Sequence, residues 1–144
     1  MFWTKKKNKT MVNEWLRMVA DQHYAYGTHD CCTFALDLLS LIHDVEVPVP
    51  DYEDRDGAQR MMRQNPPLRL LSRYFVLHEL DPADKMEDGD LLIVPELALD
   101  RFFAAVNYRG EYLAVKKNKA GYEAYATFLL YLIAGAQRYR LVPH

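Results

Sequence analysis

The chain has very little cysteine, and what it has excludes a disulfide-stabilised fold. Its only two cysteines, Cys31 and Cys32, are adjacent, so they cannot form an ordinary structural disulfide with each other. The cysteine content therefore favours a protein that folds in a reducing compartment.

Long apolar runs and a large excess of charge are also missing. No stretch approaches the roughly 20 apolar residues of a membrane span, and residues 1–9 lack the apolar core of a secretory signal. We therefore expect no membrane span and no signal peptide, and a product that stays where it is made or leaves inside an assembly. A net charge of −2 argues against nucleic acid as the main partner.

Length and composition indicate one ordinary globular domain. The 144 residues are 50% hydrophobic and 26% charged, which suffices for a single core. We predict a basic N-terminal arm over residues 1–10 and one domain over 11–144, in which Thr10 caps a first helix of about 11–22. The predicted buried seam of this helix consists of Met11, Trp15, Met18 and Val19.

The stretch from His23 to Leu39 is the one segment with the character of a site. A tyrosine pair, a glycine and a polar turn precede the two cysteines, and apolar residues then recur at helical spacing. Asp30 is the natural N-cap of this helix, which is expected to end near residue 43. The apolar stripe predicts that Cys31 faces the sheet and that Cys32, about 100° further round the helix, faces away.

The predicted position of Cys31 has a chemical consequence. In the first turn of a helix a thiol lies beside unpaired backbone N–H groups and the positive end of the helix dipole, and both favour the thiolate. Cys31 is therefore a candidate nucleophile. The alternative interpretation, which spacing alone favours, is that both cysteines are small buried hydrophobes.

The same segment resembles the signature that opens the active-site helix of NlpC/P60-type, papain-like cysteine peptidases, aromatic-Gly…Asp-Cys-x-x-Phe. The matching residues are Tyr24, Tyr26, Gly27, Asp30, Cys31 and Phe34. The run is still more similar to an uncharacterised group of phage-encoded relatives, known from tail-gene clusters and prophages, with the pattern aromatic-Gly-x-His-Asp-Cys-Cys-x-Phe-Ala. Gly89 and Asp90 look like the Gly-Asp entry to a strand of the same fold.

The order of the predicted elements favours an α+β fold. Two further helices are predicted over about 54–64 and 67–74. Strands are predicted over 75–80, 90–94, 102–108, 111–116, 122–127 and 138–142, and a short apolar helix or turn over 128–134. Arg109-Gly110 predicts a hairpin turn. Helices packed on a following antiparallel sheet form an α+β domain, which is also the order of an NlpC/P60-like single domain.

The resemblance implies where a catalytic base is expected. In active NlpC/P60 enzymes a histidine begins the strand after the Gly-Asp strand, and here that place falls within 102–106, which contains no histidine. None of the five histidines lies between residues 79 and 143. His29 and His78 remain as weak candidate bases for Cys31, since His43 lies about 18 Å away along the helix.

Two main functions follow for this chain. The missing histidine favours a non-catalytic bacteriophage virion component, a tail or tail-tip assembly protein on a degenerate NlpC/P60-like fold, with other tail proteins as partners. The alternative is an active peptidase or amidase that cuts peptidoglycan stem peptides with Cys31 as nucleophile. A third, weaker option is a thiol-dependent enzyme such as an acyltransferase.

No cofactor or metal is expected from the sequence. Six acids between residues 44 and 56 lack the ligand spacing of a calcium loop, so we interpret them as a solvated connection. Five arginines between residues 55 and 73 are interpreted as a solvated face.

Overall fold

The computed structural model describes residues 2–96, 101–115, 120–125 and 136–144. Within these residues four helices precede six strands. The helices are α1 (Phe2–Val19), α2 (Cys31–His43), α3 (Arg55–Gln64) and α4 (Pro67–Leu71). The strands are β1 (Phe75–Leu80), β2 (Leu91–Glu96), β3 (Arg101–Tyr108), β4 (Glu111–Ala114), β5 (Glu123–Tyr125) and β6 (Gln137–Pro143).

The strands form one antiparallel sheet in the order β1-β6-β2-β3-β4-β5. The last strand, β6, lies between β1 and β2, so the end of the chain joins the first two strands. The predicted α+β class is confirmed. No helix among the described residues has the length and apolar character that crossing a membrane requires.

The core lies between the helices and one face of this sheet. Phe34, Leu38 and Leu39 of α2 are at most 1% exposed, and they pack in one cluster with Leu91 and Ile93 of β2. Because successive side chains of a strand point to opposite faces, alternate residues supply a second, smaller cluster. Its buried members are Leu92, Ala105, Tyr112 and Ala114.

Helix α1 differs from its prediction at both the cap and the seam. It begins at Phe2, so Thr10 lies inside the helix and does not start it. Val19 of the predicted seam is buried and Trp15 packs on the core against Phe34. Met11 and Met18, however, are 44% and 76% exposed, and Val12 and Leu16 are buried instead. Met11 and Val12 begin two apolar rows with the same helical spacing, and packing against α2 decides which row is buried.

The other elements agree with their predictions to within a few residues. The hairpin turn is confirmed, because Arg109 and Gly110 have φ of 55° and 81°, as the favoured two-residue turn requires. Helix α4 ends at Leu71 rather than at 74. The strand predicted over 122–127 is observed as β5. Residue 116 of the predicted fourth strand, residues 126–127 and the helix or turn predicted over 128–134 lie outside the described residues.

Candidate functional site

The Asp30 side chain starts α2. Its Oδ1 accepts a hydrogen bond of 2.8 Å from the Thr33 backbone N–H, and the Thr33 hydroxyl accepts one of 2.9 Å from the Asp30 N–H. These reciprocal bonds form a capping box, which satisfies two of the N–H groups that a helix start leaves without partners. The predicted N-cap and the start of α2 at Cys31 are confirmed.

The same carboxylate also binds two segments outside the helix. Asp30 Oδ2 accepts hydrogen bonds from the Gly27 N–H at 2.8 Å and from the Tyr52 hydroxyl at 2.5 Å. Asp30 is only 3% exposed, and these donors compensate for its burial. Burial is the main cause that raises the pKa of Tyr52, and Cys32 and Asp30 add to it, so the hydroxyl stays protonated as a donor.

Gly27 is required where the loop crosses the Tyr52 backbone. Its φ is +84°, and a Cβ built on it would lie 1.9 Å from the Tyr52 carbonyl oxygen. The two tyrosines before it, Tyr24 and Tyr26, contact each other edge to face, with ring centroids 5.3 Å apart. Burial, followed by the charge of Asp30, raises the pKa of Tyr24.

Cys31 faces strand β3, as the apolar stripe predicts. Its Sγ accepts a hydrogen bond of 3.1 Å from the Ala104 backbone N–H, and its thiol donates to the Ala104 carbonyl oxygen at 3.7 Å. Helix α2 is therefore joined to the sheet through the backbone of β3 at its first residue.

The position of Ala104 in the sheet explains why its backbone N–H and C=O are available to the Cys31 sulfur. The backbone of Asn107 bonds toward β2, through Gly89 and Asp90. Every second residue of an antiparallel strand bonds to the same neighbour, so Val106 and then Ala104 face β4. Val106 is opposite Leu113, but β4 ends at Ala114. The Cys31 sulfur thus continues the hydrogen bonding of β3 beyond the end of β4.

Cys32 lies in a different environment, against the core and beside the Tyr52 hydroxyl. Burial, with smaller contributions from Asp30 and Cys31, raises the pKa of its thiol to about 12. A small apolar cavity of about 30 Å³ adjoins both cysteines. Its apolar lining includes Leu36, Leu39, Met62, Leu71 and Leu91. We expect such a cavity to stay dry.

The candidate base His29 is buried, with 3% of its surface exposed. Its Nε2 lies 2.8 Å from the carbonyl oxygen of Gly121, and its ring meets Phe34 edge to face. Phe34 in turn stacks between Trp15 and Tyr122. His29 therefore joins the start of α2 to the segment before β5.

The other two histidines near the predicted site lie on different elements. His78 is an exposed residue of β1 and pairs with Arg140 of β6. Because β1 is three strands from β3 and neighbouring strands are about 4.8 Å apart, His78 is separated from the Ala104 strand by about 14 Å. The His43 Nε2 lies 3.1 Å from the carbonyl oxygen of Gly89, and burial lowers the pKa of this histidine.

Asp90, the second residue of the Gly-Asp pair, lies in an ion network that the sequence did not suggest. It is 1% exposed and accepts hydrogen bonds from Arg140 at 3.0 and 3.1 Å. Arg138, 2% exposed, lies 3.8 Å from the same carboxylate and donates to the Tyr112 hydroxyl at 2.8 Å. It also donates to carbonyl oxygens of residues 81, 84 and 85. The sequence does contain one indication of this network: Arg138 and Arg140 are two positions apart in β6, so their side chains lie on the same face of the sheet.

No three His, Cys, Asp or Glu side chains of the described ranges lie close enough together to hold an ion. The six acids between residues 44 and 56 are all exposed.

Fold and site together define an α+β protein in which a capped helix presents a cysteine to the backbone of an antiparallel sheet. The chain belongs to the family described as Domain of unknown function (DUF6950), whose family model matches residues 4–127. The chain matches no curated protein and no solved structure.

Proposed function

We propose that the protein is a non-catalytic component of a bacteriophage virion, a tail or tail-tip assembly protein on a degenerate NlpC/P60-like fold. The observation that carries this proposal is the contact of the Cys31 sulfur with the backbone of Ala104. The resemblance implies a catalytic histidine on the strand at 102–106, and the chain has none there.

The surroundings of the histidines support a role without catalysis. A cysteine nucleophile needs a base within hydrogen-bond reach, about 2.6–3.2 Å. The Nε2 atoms of His29 and His43 are engaged by backbone carbonyls of Gly121 and Gly89, and His78 belongs to the edge strand β1. The N-terminus of a helix stabilises a thiolate by only about 0.3–1 kcal/mol. A positioned general base, in contrast, raises the reaction rate by about 10²–10⁴-fold.

The two contacts of Cys31 also favour a structural use of the thiol. Its sulfur accepts from the Ala104 N–H, and the Ala104 carbonyl oxygen lies 3.7 Å from the same sulfur as an acceptor for the thiol. Only the protonated thiol can do both, because a thiolate has no hydrogen to donate. The assignment to a phage tail rests on the resemblance of residues 24–34 to the phage-encoded group. Ten tyrosines also suit a protein that buries surface against partners.

The test compares Cys31→Ser with Cys32→Ser as its matched control. Purified wild-type protein is incubated with peptidoglycan and the release of soluble fragments is measured; we expect none above buffer. In the phage whose genome encodes the chain, Cys31→Ser is expected to assemble into particles that infect as well as the wild type.

Hydrolysis by the wild type that Cys31→Ser abolishes and Cys32→Ser retains would overturn the proposal in favour of the peptidase or amidase. Intact Cys31→Ser particles that fail to cross the cell wall would have the same meaning.

A further inference from the structure

Two strips of opposite charge lie side by side on the surface around α3. The acidic strip consists of Asp51, Glu53 and Asp54. The arginine strip consists of Arg55, Arg60, Arg63, Arg69 and Arg73. All eight side chains are exposed. The strips meet at an open cleft of about 440 Å³ whose lining includes the whole acidic strip and Arg60.

One contact brings the arginines at the two ends of the turn between α3 and α4 together. The Arg73 Nη2 lies 3.5 Å from the Asn65 side-chain oxygen, which brings the end of α4 back beside the end of α3. Arg60 and Arg63 are neighbours on α3 because they are three residues apart. Arg60 and Arg63 therefore form a positive pair on α3, and Arg73 lies beside the end of the same helix.

Neither strip forms an ion pair within the described part of the molecule, although the exposed Asp56 lies one turn before Arg60 on α3. The ion pairs within 4.0 Å among the described residues involve Arg138 and Arg140, and none involves either strip. Asp54 Oδ1 caps α3 by accepting from the Gly57 N–H at 2.7 Å, a bond to backbone that leaves its charge in place. The arginines are thus available to carboxylates of another molecule.

The choice of arginine favours an interface over a solvated face. Residues 55–73 contain five arginines and no lysine, although lysine occurs elsewhere in the chain. Solvation alone would be served equally well by lysine. Arginine is enriched at protein interfaces and lysine is depleted there, because the planar guanidinium forms paired hydrogen bonds with a carboxylate.

A face with a positive strip beside a negative one is complementary to itself after a half-turn. A two-fold contact brings the same patch of both subunits together, so each acidic strip would lie on the arginine strip of the other subunit. Nucleic acid fits less well, since the acids at the edge of the arginine strip would repel phosphates. We propose that this face pairs with the same face of a second copy of the chain, forming a charge-driven dimer. The dimer does not depend on the role of Cys31.

The first measurement is the mass of the purified wild-type protein in solution as a function of salt. Raising the ionic strength from about 0.01 M to about 1 M shortens the Debye length from about 30 Å to about 3 Å. We expect a dimer at low salt and a monomer at high salt, with at least about a tenfold loss of affinity.

The second measurement uses two double variants, Arg60→Glu with Arg63→Glu and Asp51→Lys with Glu53→Lys. The first makes the face mainly acidic and the second makes it mainly basic, so each alone is expected to be monomeric at low salt. An equimolar mixture of the two should form a heterodimer. The matched control, Lys9→Glu with Arg17→Glu on α1, changes the charge as much as the first variant and should remain dimeric.

Wild-type protein that stays monomeric at low salt would overturn the proposal. The proposal would also be overturned if the control variant dissociated as the first variant does. A mixture that gives no heterodimer, although thermal melting shows that both variants are folded, would overturn it as well. Binding of a DNA oligonucleotide that Arg60→Glu with Arg63→Glu abolishes, without any dimer, would assign the face to nucleic acid instead.

Discussion

The Tyr52 hydroxyl donates a hydrogen bond of 2.5 Å to the Asp30 carboxylate, across 22 residues of sequence. The same carboxylate caps α2 and binds the Gly27 N–H. One buried side chain therefore sets the loop, the helix start and the segment before α3 relative to each other. The position of Cys31 against β3 depends on this arrangement.

Tyr52→Phe tests the contribution of that bond to stability. It removes a donor from a buried carboxylate while keeping the ring, so we expect a loss of about 1.5–3 kcal/mol in the free energy of unfolding. Urea denaturation measures it. Tyr139→Phe is the control, because its hydroxyl binds Gln137 in an exposed position, and it should cost less than about 0.5 kcal/mol. Equal losses of stability in the two variants would mean that the buried bond to Asp30 contributes no more than the exposed bond to Gln137.

Gly27→Ala tests the close approach of the loop to Tyr52. An alanine there takes up a left-handed backbone at about 1–2 kcal/mol and forces its Cβ against a carbonyl oxygen, which adds about 1–3 kcal/mol. Gly110→Ala has a similar positive φ but meets nothing within 4 Å, so it isolates the backbone cost. Equal denaturation midpoints for the two variants would contradict the predicted clash.

Asp37→Asn is expected to stabilise the protein at neutral pH. Burial, and then the charge of Asp30, raises the pKa of Asp37 on α2. An acid whose pKa is higher in the folded state disfavours folding once ionised. This cost is full above the folded pKa and absent below the unfolded value of about 3.9.

Melting temperatures of wild type and Asp37→Asn should therefore differ most at neutral pH and converge as the pH falls toward about 3. Asp21→Asn, which removes an exposed carboxylate after α1, serves as the control and should show a smaller difference. A difference that grows as the pH falls would reverse the sign and contradict the raised pKa.

Arg138→Met tests the buried ion network. The substitution leaves the Asp90 carboxylate with one cation fewer and removes the donor to the Tyr112 hydroxyl. Breaking a buried pair on one side costs about 3–5 kcal/mol. Arg109→Met, at an exposed hairpin position, should cost about 0.5 kcal/mol or less. Comparable urea midpoints for the two variants would show that the network contributes little.

Local features of this chain could be predicted because neighbouring residues produce them. Asp30 and Thr33 are three residues apart and make the capping box by themselves. The Arg109-Gly110 turn and strand β1 likewise arise from short stretches whose conformational preferences agree with the final fold. The apolar stripe after Cys31 was enough to predict which cysteine faces the sheet.

The buried face of α1 could not be chosen in the same way. The sequence predicted Trp15 and Val19, which pack on the core, but it also offered Met11 and Met18, and only contact with α2 buries Val12 and Leu16 in their place. The position of β6 between β1 and β2 could not be predicted from the sequence either, because strand pairing joins residues that are far apart in the chain and no local sequence pattern indicates it.

By itself the sequence determined the helix start at Cys31, the hairpin and the α+β order, since each arises from spacing and capping within a few residues. The tertiary structure alone decided what those residues contact. The His29 Nε2 is within hydrogen-bond distance of a carbonyl oxygen 92 positions away, and Asp90 binds an arginine 50 positions away. The Cys31 sulfur meets the N–H and C=O of Ala104, 73 positions away. Every residue type carries that backbone carbonyl and almost every one the N–H, so no side-chain pattern could have predicted this partner.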